Sequence, residues 1–151
     1  AEDADAGFIP ATGRVLALEP PEGPGIRFDG GVVEGQEVTA AFDPMLAKLI
    51  VHGASRDQAV QRMRAALAQT VLLGVTTNIA FLDRVLRHAG FAEGDVDTDA
   101  LDRWSGDLAL PEPDPAELAV VLAAAGLNHR GFRDRTRPLP QPYAGIGAWR
   151  N

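Results

Sequence analysis

The segment FDPMLAKLI, Phe42–Ile50, places one cation, Lys48, in an otherwise apolar run that opens with an acid and a proline. On an alternating strand Lys48 shares a face with Leu46 and Ile50. An ammonium in that setting either snorkels to water along its own stem or meets a carboxylate. Asp43 is the nearest acid, and the turn set by Pro44 could aim it back. A snorkelling lysine and a structural or interface ion pair fit the spacing equally; a catalytic amine fits it less well. Other groups with chemical reach are the carboxylate pairs Asp97/Asp99 and Asp102/Asp107 and the histidines His52, His88 and His129. Paired carboxylates can divide general acid and base work, but capping and solvation account better for these. The histidines fall at a strand end, a helix end and the tail, a spacing that matches no zinc pattern. His88, in a last helical turn, sits where a cation is favoured. The sequence has no GxxxxGK[ST] phosphate loop. EGPG (Glu22–Gly25) and FDGG (Phe28–Gly31) read as turns, the second as a hairpin turn.

The elements that must position these groups belong to a chain of 151 residues, the length of one domain or one domain with a tail. Apolar residues make up 46%, much of it alanine, so the core is expected to be thin in places. With 14 basic against 21 acidic residues the net charge is −7, which disfavours a nucleic-acid partner. The absence of cysteine excludes disulfides, thiolate metal sites and cysteine nucleophiles, and fits a reducing cytoplasm. No apolar run approaches a membrane span. The opening AEDADAGF has neither methionine nor a signal pattern and reads as the start of a piece of a longer polypeptide.

Residues 1–53 are rich in glycine and proline and carry short strand-like runs: GRVLALEPP (Gly13–Pro21), IRFDGG (Ile26–Gly31), VVEGQEV (Val32–Val38) and LAKLIVHG (Leu46–Gly53). They predict a small antiparallel or barrel-like sheet. From Ser55 the period changes. Ser55 and Gln58 have capping-box spacing, and Ala59, Val60, Met63, Ala66 and Leu67 recur at helical intervals, predicting a helix over Ser55–Gln69. TVLLGV (Thr70–Val75) predicts a strand. Thr77 is placed to cap a helix over Asn78–Ala89 that Gly90 would end, and Thr98 to cap a short helix running to Trp104. LALPEPDP (Leu108–Pro115) reads as a linker. Asp114, Pro115 and Glu117 then start a helix over Pro115–Ala125, after which the basic, proline-dotted remainder is expected to be extended. The fold class is therefore α+β: a small antiparallel sheet or barrel-sandwich-like N-terminal half, then helices, then an extended C-terminal linker. Residues 1–107 form the domain, and 108–151 a linker with one helix near 115–125.

From Ala1 to about Arg103 the sequence closely resembles the C-terminal domain of biotin carboxylase. The resemblance rests on AED followed by GFIPATG, on GPGIRFD, on FDPMLAKLIVHG and on GVTTNIAFL. The family usually has tyrosine where this chain has Phe42, so any role of that hydroxyl is absent. PYAGIGAWRN resembles the lead-in to the domain that docks the carboxyltransferase in acyl-CoA carboxylases, of which the propionyl- and methylcrotonyl-CoA α subunits are the nearest types. The resemblance implies an ATP-dependent ligase: MgATP activates bicarbonate, the carboxyl group passes to biotin, and a carboxyltransferase β subunit moves it to an acyl-CoA. It implies that ATP, Mg and biotin are held mainly by an ATP-grasp domain and a biotin carrier domain outside these residues, and that no catalytic residue lies within them. It places Asp97 and Thr98 beside the nucleotide pocket. It places Arg27, Phe42, Asp43, Pro44, Met45 and Lys48 in the family motif and at an interface, with Asp43 at a domain or subunit contact and Lys48 supporting that corner. Two other readings stay open: a non-enzymatic adaptor of the same fold, and the C-terminal domain of another ATP-grasp carboxylase.

Overall fold

The computed structural model describes residues 1–110 and 114–136, with side chains through residue 126. Two units divide the chain, Ala1–Leu110 and Pro111–Asn151. The first opens with β1 (Glu2–Asp3), a 3-10 turn at Ala4–Ala6 and β2 (Ile9–Pro10), followed by β3 (Gly13–Arg14), β4 (Ala17–Glu19), β5 (Ile26–Gly30), β6 (Glu37–Val38) and β7 (Ala47–Val51). After them come α1 (Arg56–Gln69), β8 (Val71–Leu73), α2 (Ile79–Arg87), α3 (Ala89–Glu93), α4 (Ala100–Arg103) and α5 (Ser105–Leu108). The α+β mix stands, and its sheet takes the form of four separate antiparallel pairs: β1 with β2, β3 with β6, β4 with β8, and β5 with β7.

The β5–β7 pair is the longest. Its register sets Phe28 opposite Leu49, Asp29 opposite Lys48 and Arg27 opposite Ile50. Because strand side chains alternate, Phe28, Ala47 and Leu49 take one face and Arg27, Asp29 and Lys48 the other. Asp29 and Gly30 are thus strand residues paired to β7. FDGG is not a hairpin turn, because the strand that completes the pair starts only at Ala47.

Helix α1 begins as its spacing predicts. The Ser55 hydroxyl accepts from the Gln58 amide at 3.2 Å, and the Gln58 side chain accepts from Ala54 at 2.6 Å, one residue beyond the reciprocal partner. The helix buries Ala66 and Leu67. Three expected helix boundaries move. Asn78, not Thr77, is the N-cap of α2, and its side chain is spent on Glu2 rather than on the helix. Helix α2 ends at Arg87 because His88 turns extended and its Nδ1 accepts from the Gly90 amide, starting α3. Gly90 therefore lies inside α3, where a Cβ would come within 2.7 Å of the Trp104 ring. Thr98 does not cap the next helix: Asp99 is the N-cap of α4, without a side-chain bond.

The buried side chains form small clusters. Val15 and Val38 are buried near the β3–β6 pair. Val85, Ala100, Trp104 and Leu108 form a helical hub against which Phe81 and Phe91 pack. The His88 ring stacks on Trp104 at 4.1 Å and 25°. Arg56 clamps α1 to α3 by donating to the Phe91 carbonyl and lying 4.9 Å over the Phe91 ring.

In the second unit α6 spans Pro115–Thr136. Asp114 starts it by accepting from the Ala116 amide at 3.0 Å. The helix expected to stop at Ala125 continues through Gly126. An interior glycine costs a helix only about 1 kcal/mol, and no proline intervenes before Pro138. The expected extended course of residues 137–151, and of the linker prolines at 111 and 113, lies outside the described residues. Among the described residues no helix is long and apolar enough to cross a membrane.

Candidate functional site

The Asp-Pro turn is built locally. The Asp43 carboxylate accepts from the Met45 amide at 2.8 Å, closing an Asx turn that Pro44 stiffens. The Pro44 carbonyl accepts from the Ala1 nitrogen at 2.6 Å, which joins this turn to the entry segment. Phe42 and Met45, which flank the acid and proline, are 85% and 71% exposed. The turn thus presents two large apolar side chains to solvent while its one acid is engaged by its own backbone.

Lys48 has a different neighbour from the one its sequence position suggests. Asp43 bonds back to Met45, and Lys48 stands across the strand pair from Asp29 on the exposed face. Arg27 forks both oxygens of Asp29, with Nε and the terminal nitrogen each at 2.8 Å. That bond holds the Asp29 carboxyl below its ordinary value, against a smaller upward push from desolvation, and the charges of Arg27 and Lys48 help. Arg27, Asp29 and Lys48 therefore form a basic-acidic-basic row.

The structure does not bring Asp97 and Thr98 to the Asp43 turn; neither lines the cavity that Asp43, Pro44 and Met45 border. Asp97 is held by Arg103 at 2.7 and 2.8 Å and accepts from the Asp99 amide at 3.2 Å. The Arg103 bond keeps its carboxyl below the ordinary value, outweighing desolvation. The Thr98 hydroxyl lies 3.5 Å from Asp99.

The cavity itself measures about 580 Å³. It opens between the inner face of β5–β7 and helices α1 and α2, lined by Phe28, Leu49, Met63, Leu67, Ile79 and Leu82 among others. This apolar lining offers packing area and few polar groups to orient a ligand. Among the described residues no group of three His, Asp or Glu side chains converges on a point where a metal could sit. The residues that do knit the surface together at long range escaped the sequence reading: Arg84 reaches Asp5, and Phe81 meets Phe8. Arg84 and Asp5 lie 79 positions apart, and no local pattern encodes such a contact.

Acid should loosen these ion pairs in a defined direction. Burial pushes the Asp83 carboxyl up, but bonds from Arg87 and Arg64 outweigh it and leave the group lowered. A carboxyl lowered by folding adds stability that is present above its unfolded value, about 3.9, and is lost as pH falls through the folded value. Carboxyl-carbon NMR titration is expected to give midpoints below about 3.9 for Asp29, Asp83 and Asp97. Midpoints at or above that value would contradict the pairing described.

Paired short strands, a Trp-centred helical hub and surface ion pairs such as Arg64–Asp83 and Arg103–Asp97 define an α+β domain. Residues 1–103 match the biotin carboxylase C-terminal domain family, and the chain belongs to that family. It is 34% identical over 128 residues to the methylcrotonoyl-CoA carboxylase subunit alpha of Glycine max, covering 85% of this chain and 18% of that protein. It is 38% identical over 134 residues to the propionyl-CoA carboxylase alpha chain of Caenorhabditis elegans, covering 86% and 18%. Among solved structures it is similar to the biotin carboxylase domain dimer of Hydrogenobacter thermophilus 2-oxoglutarate carboxylase, in complex with MgADP, ADP and bicarbonate. There the TM-score is 0.70 at 34% identity, covering 74% of this chain and 25% of the other. The chain thus spans about a fifth of the length of the curated relatives it matches.

Proposed function

We propose that this chain is the structural C-terminal part of the biotin carboxylase component of an acyl-CoA carboxylase, whose full subunit carboxylates biotin with ATP and bicarbonate. The observation that carries the reading is the family match over residues 1–103, together with α-subunit relatives that cover more than four fifths of the chain. Residues 1–107 would act as the domain body and 108–151 as the lead-in to the carboxyltransferase-docking part. The described side chains do not fit ATP, Mg or biotin: the cavity is apolar, and Asp97 is already occupied by Arg103. Binding of those groups would fall to an ATP-grasp domain and a biotin carrier domain of the same subunit, and transfer of the carboxyl group from biotin to an acyl-CoA to a carboxyltransferase β subunit. Asp97 and Thr98 would border the nucleotide pocket from this side. The cytoplasm is the proposed compartment, consistent with a chain free of cysteine, although the two named relatives are mitochondrial. The test mixes ATP, bicarbonate and free biotin with residues 1–151 alone and, separately, with the full subunit. Phosphate release is expected only from the full subunit; turnover by the 151 residues would overturn the reading.

The exposed Phe42 and Met45 around an internally bonded Asp43 support an interface role for the FDPM turn, with Arg27 and Lys48 on the neighbouring strand face. Asp43→Ala removes one side chain–backbone hydrogen bond, a loss of about 1 kcal/mol in the domain. Its larger effect is expected in the full subunit, as weakened association in sedimentation or reduced biotin carboxylation. Full activity with unchanged association would refute the role.

A further inference from the structure

Residues 2–10 fold back on themselves with little help from the core. Glu2 pairs with Pro10 and Asp3 with Ile9. Asp3 accepts from the amides of Asp5 and Ala6, and its carbonyl from the Phe8 amide at 2.8 Å. None of these residues is buried. Their attachment to the rest of the domain runs through side chains spaced three apart at the start and along one side of α2. Asn78 donates to Glu2 at 3.3 Å, Phe81 meets Phe8 edge-on at 5.0 Å, and Arg84 donates to Asp5 at 2.5 Å. Arg84 also lies 5.6 Å over the Phe81 ring, so the last two anchors support each other.

Two features mark the closed state as incompletely satisfied. Phe8 holds a left-handed backbone at φ 60°, a region that L side chains occupy only under constraint. The Arg84 Nε is buried without a hydrogen-bond partner. Glu2 of this segment borders one end of the apolar cavity, beside Ala1, Thr77 and Asn78. We propose that residues 2–10 are a hinged strap, latched to α2 by Asn78, Phe81 and Arg84, that gates this end of the cavity. Opening releases the strain at Phe8 and frees the Arg84 guanidinium. The β5–β7 pair shares none of the latch contacts and stays in place, and the Trp104 hub meets the latch only through Phe81.

Hydrogen exchange of the full polypeptide, read by mass spectrometry, tests the latch. Arg84→Met keeps the stem and removes the bond to Asp5. It is expected to speed exchange across residues 3–11 about tenfold or more, with residues 26–30 and 47–51 unchanged. Phe8→Asn tolerates the left-handed backbone and removes the ring; it is expected to give the same selective rise, and it decides the matter should Arg84→Met unfold. Unchanged exchange in residues 3–11, or a rise shared equally by the β5–β7 strands, would overturn the proposal.

Discussion

Trp104→Ala is expected to cost the domain about 3–5 kcal/mol, the range for truncating a buried aromatic. Trp104 is 8% exposed and sits among Val85, Ala100 and Leu108, so its removal empties the centre of the helical hub. Its ring also stacks on His88, the residue that ends α2 and starts α3. Losing the ring therefore removes both packing area and the support for the joint between two helices. Little collapse can compensate, because Gly90 already approaches the ring so closely that even a methyl there would lie 2.7 Å from it. Natural domains hold about 5–15 kcal/mol in total, so the variant should fold marginally if at all. Equilibrium denaturation by far-ultraviolet circular dichroism reads the effect; a midpoint shift worth less than about 1 kcal/mol would show that the hub does not organise the helical half.

How much of this arrangement the sequence displays depends on how local its causes are. Ser55 and Gln58 start α1 through bonds spanning three or four residues, so the spacing alone finds them. The strand Ala47–Val51 is equally legible from its apolar run Leu49–Val51 closed by Gly53. The pairing of β4 with β8, which joins Ala17 to Leu73, has no local cause. Neither does the meeting of His88 and Trp104, at the residue where α2 gives way before the end at Ala89 that Gly90 suggests. Thr77 and Thr98 have good capping chemistry, yet the chain places Asn78 and Asp99 at the cap positions, since tertiary contacts and not propensity fix those boundaries. At the candidate site the same division holds. The Asp43 turn has a local cause, its bond to the Met45 amide, whereas the carboxylate facing Lys48 comes not from Asp43 but from β5, a strand whose register no single segment specifies.

Those long-range joints are where substitution should hurt most, and Gly74→Ala is expected to be the most damaging change of a glycine. Gly74 lies just after β8 at φ +103°, and a Cβ there would fall 1.9 Å from the Arg14 carbonyl oxygen and 2.9 Å from the Leu16 amide nitrogen. Both neighbours are backbone of the β3–β4 segment and cannot swing aside. The Leu16 amide is itself committed to the Leu73 carbonyl at 2.8 Å, so retreat by either chain breaks the joint that carries β4 onto β8. Backbone strain at such a position costs about 1–3 kcal/mol, and forcing atoms into a packed site a further ~1–3 kcal/mol. Gly7→Ala separates the two contributions. Gly7 has φ +79° and nothing within 4 Å of its would-be Cβ, so that variant carries strain without overlap. Parallel urea titrations should place the Gly74→Ala midpoint well below that of Gly7→Ala. Equal midpoints would mean that the β4–β8 joint yields freely, and that the close approach of these two backbones is not what fastens the strand half of the domain to α1 and α2.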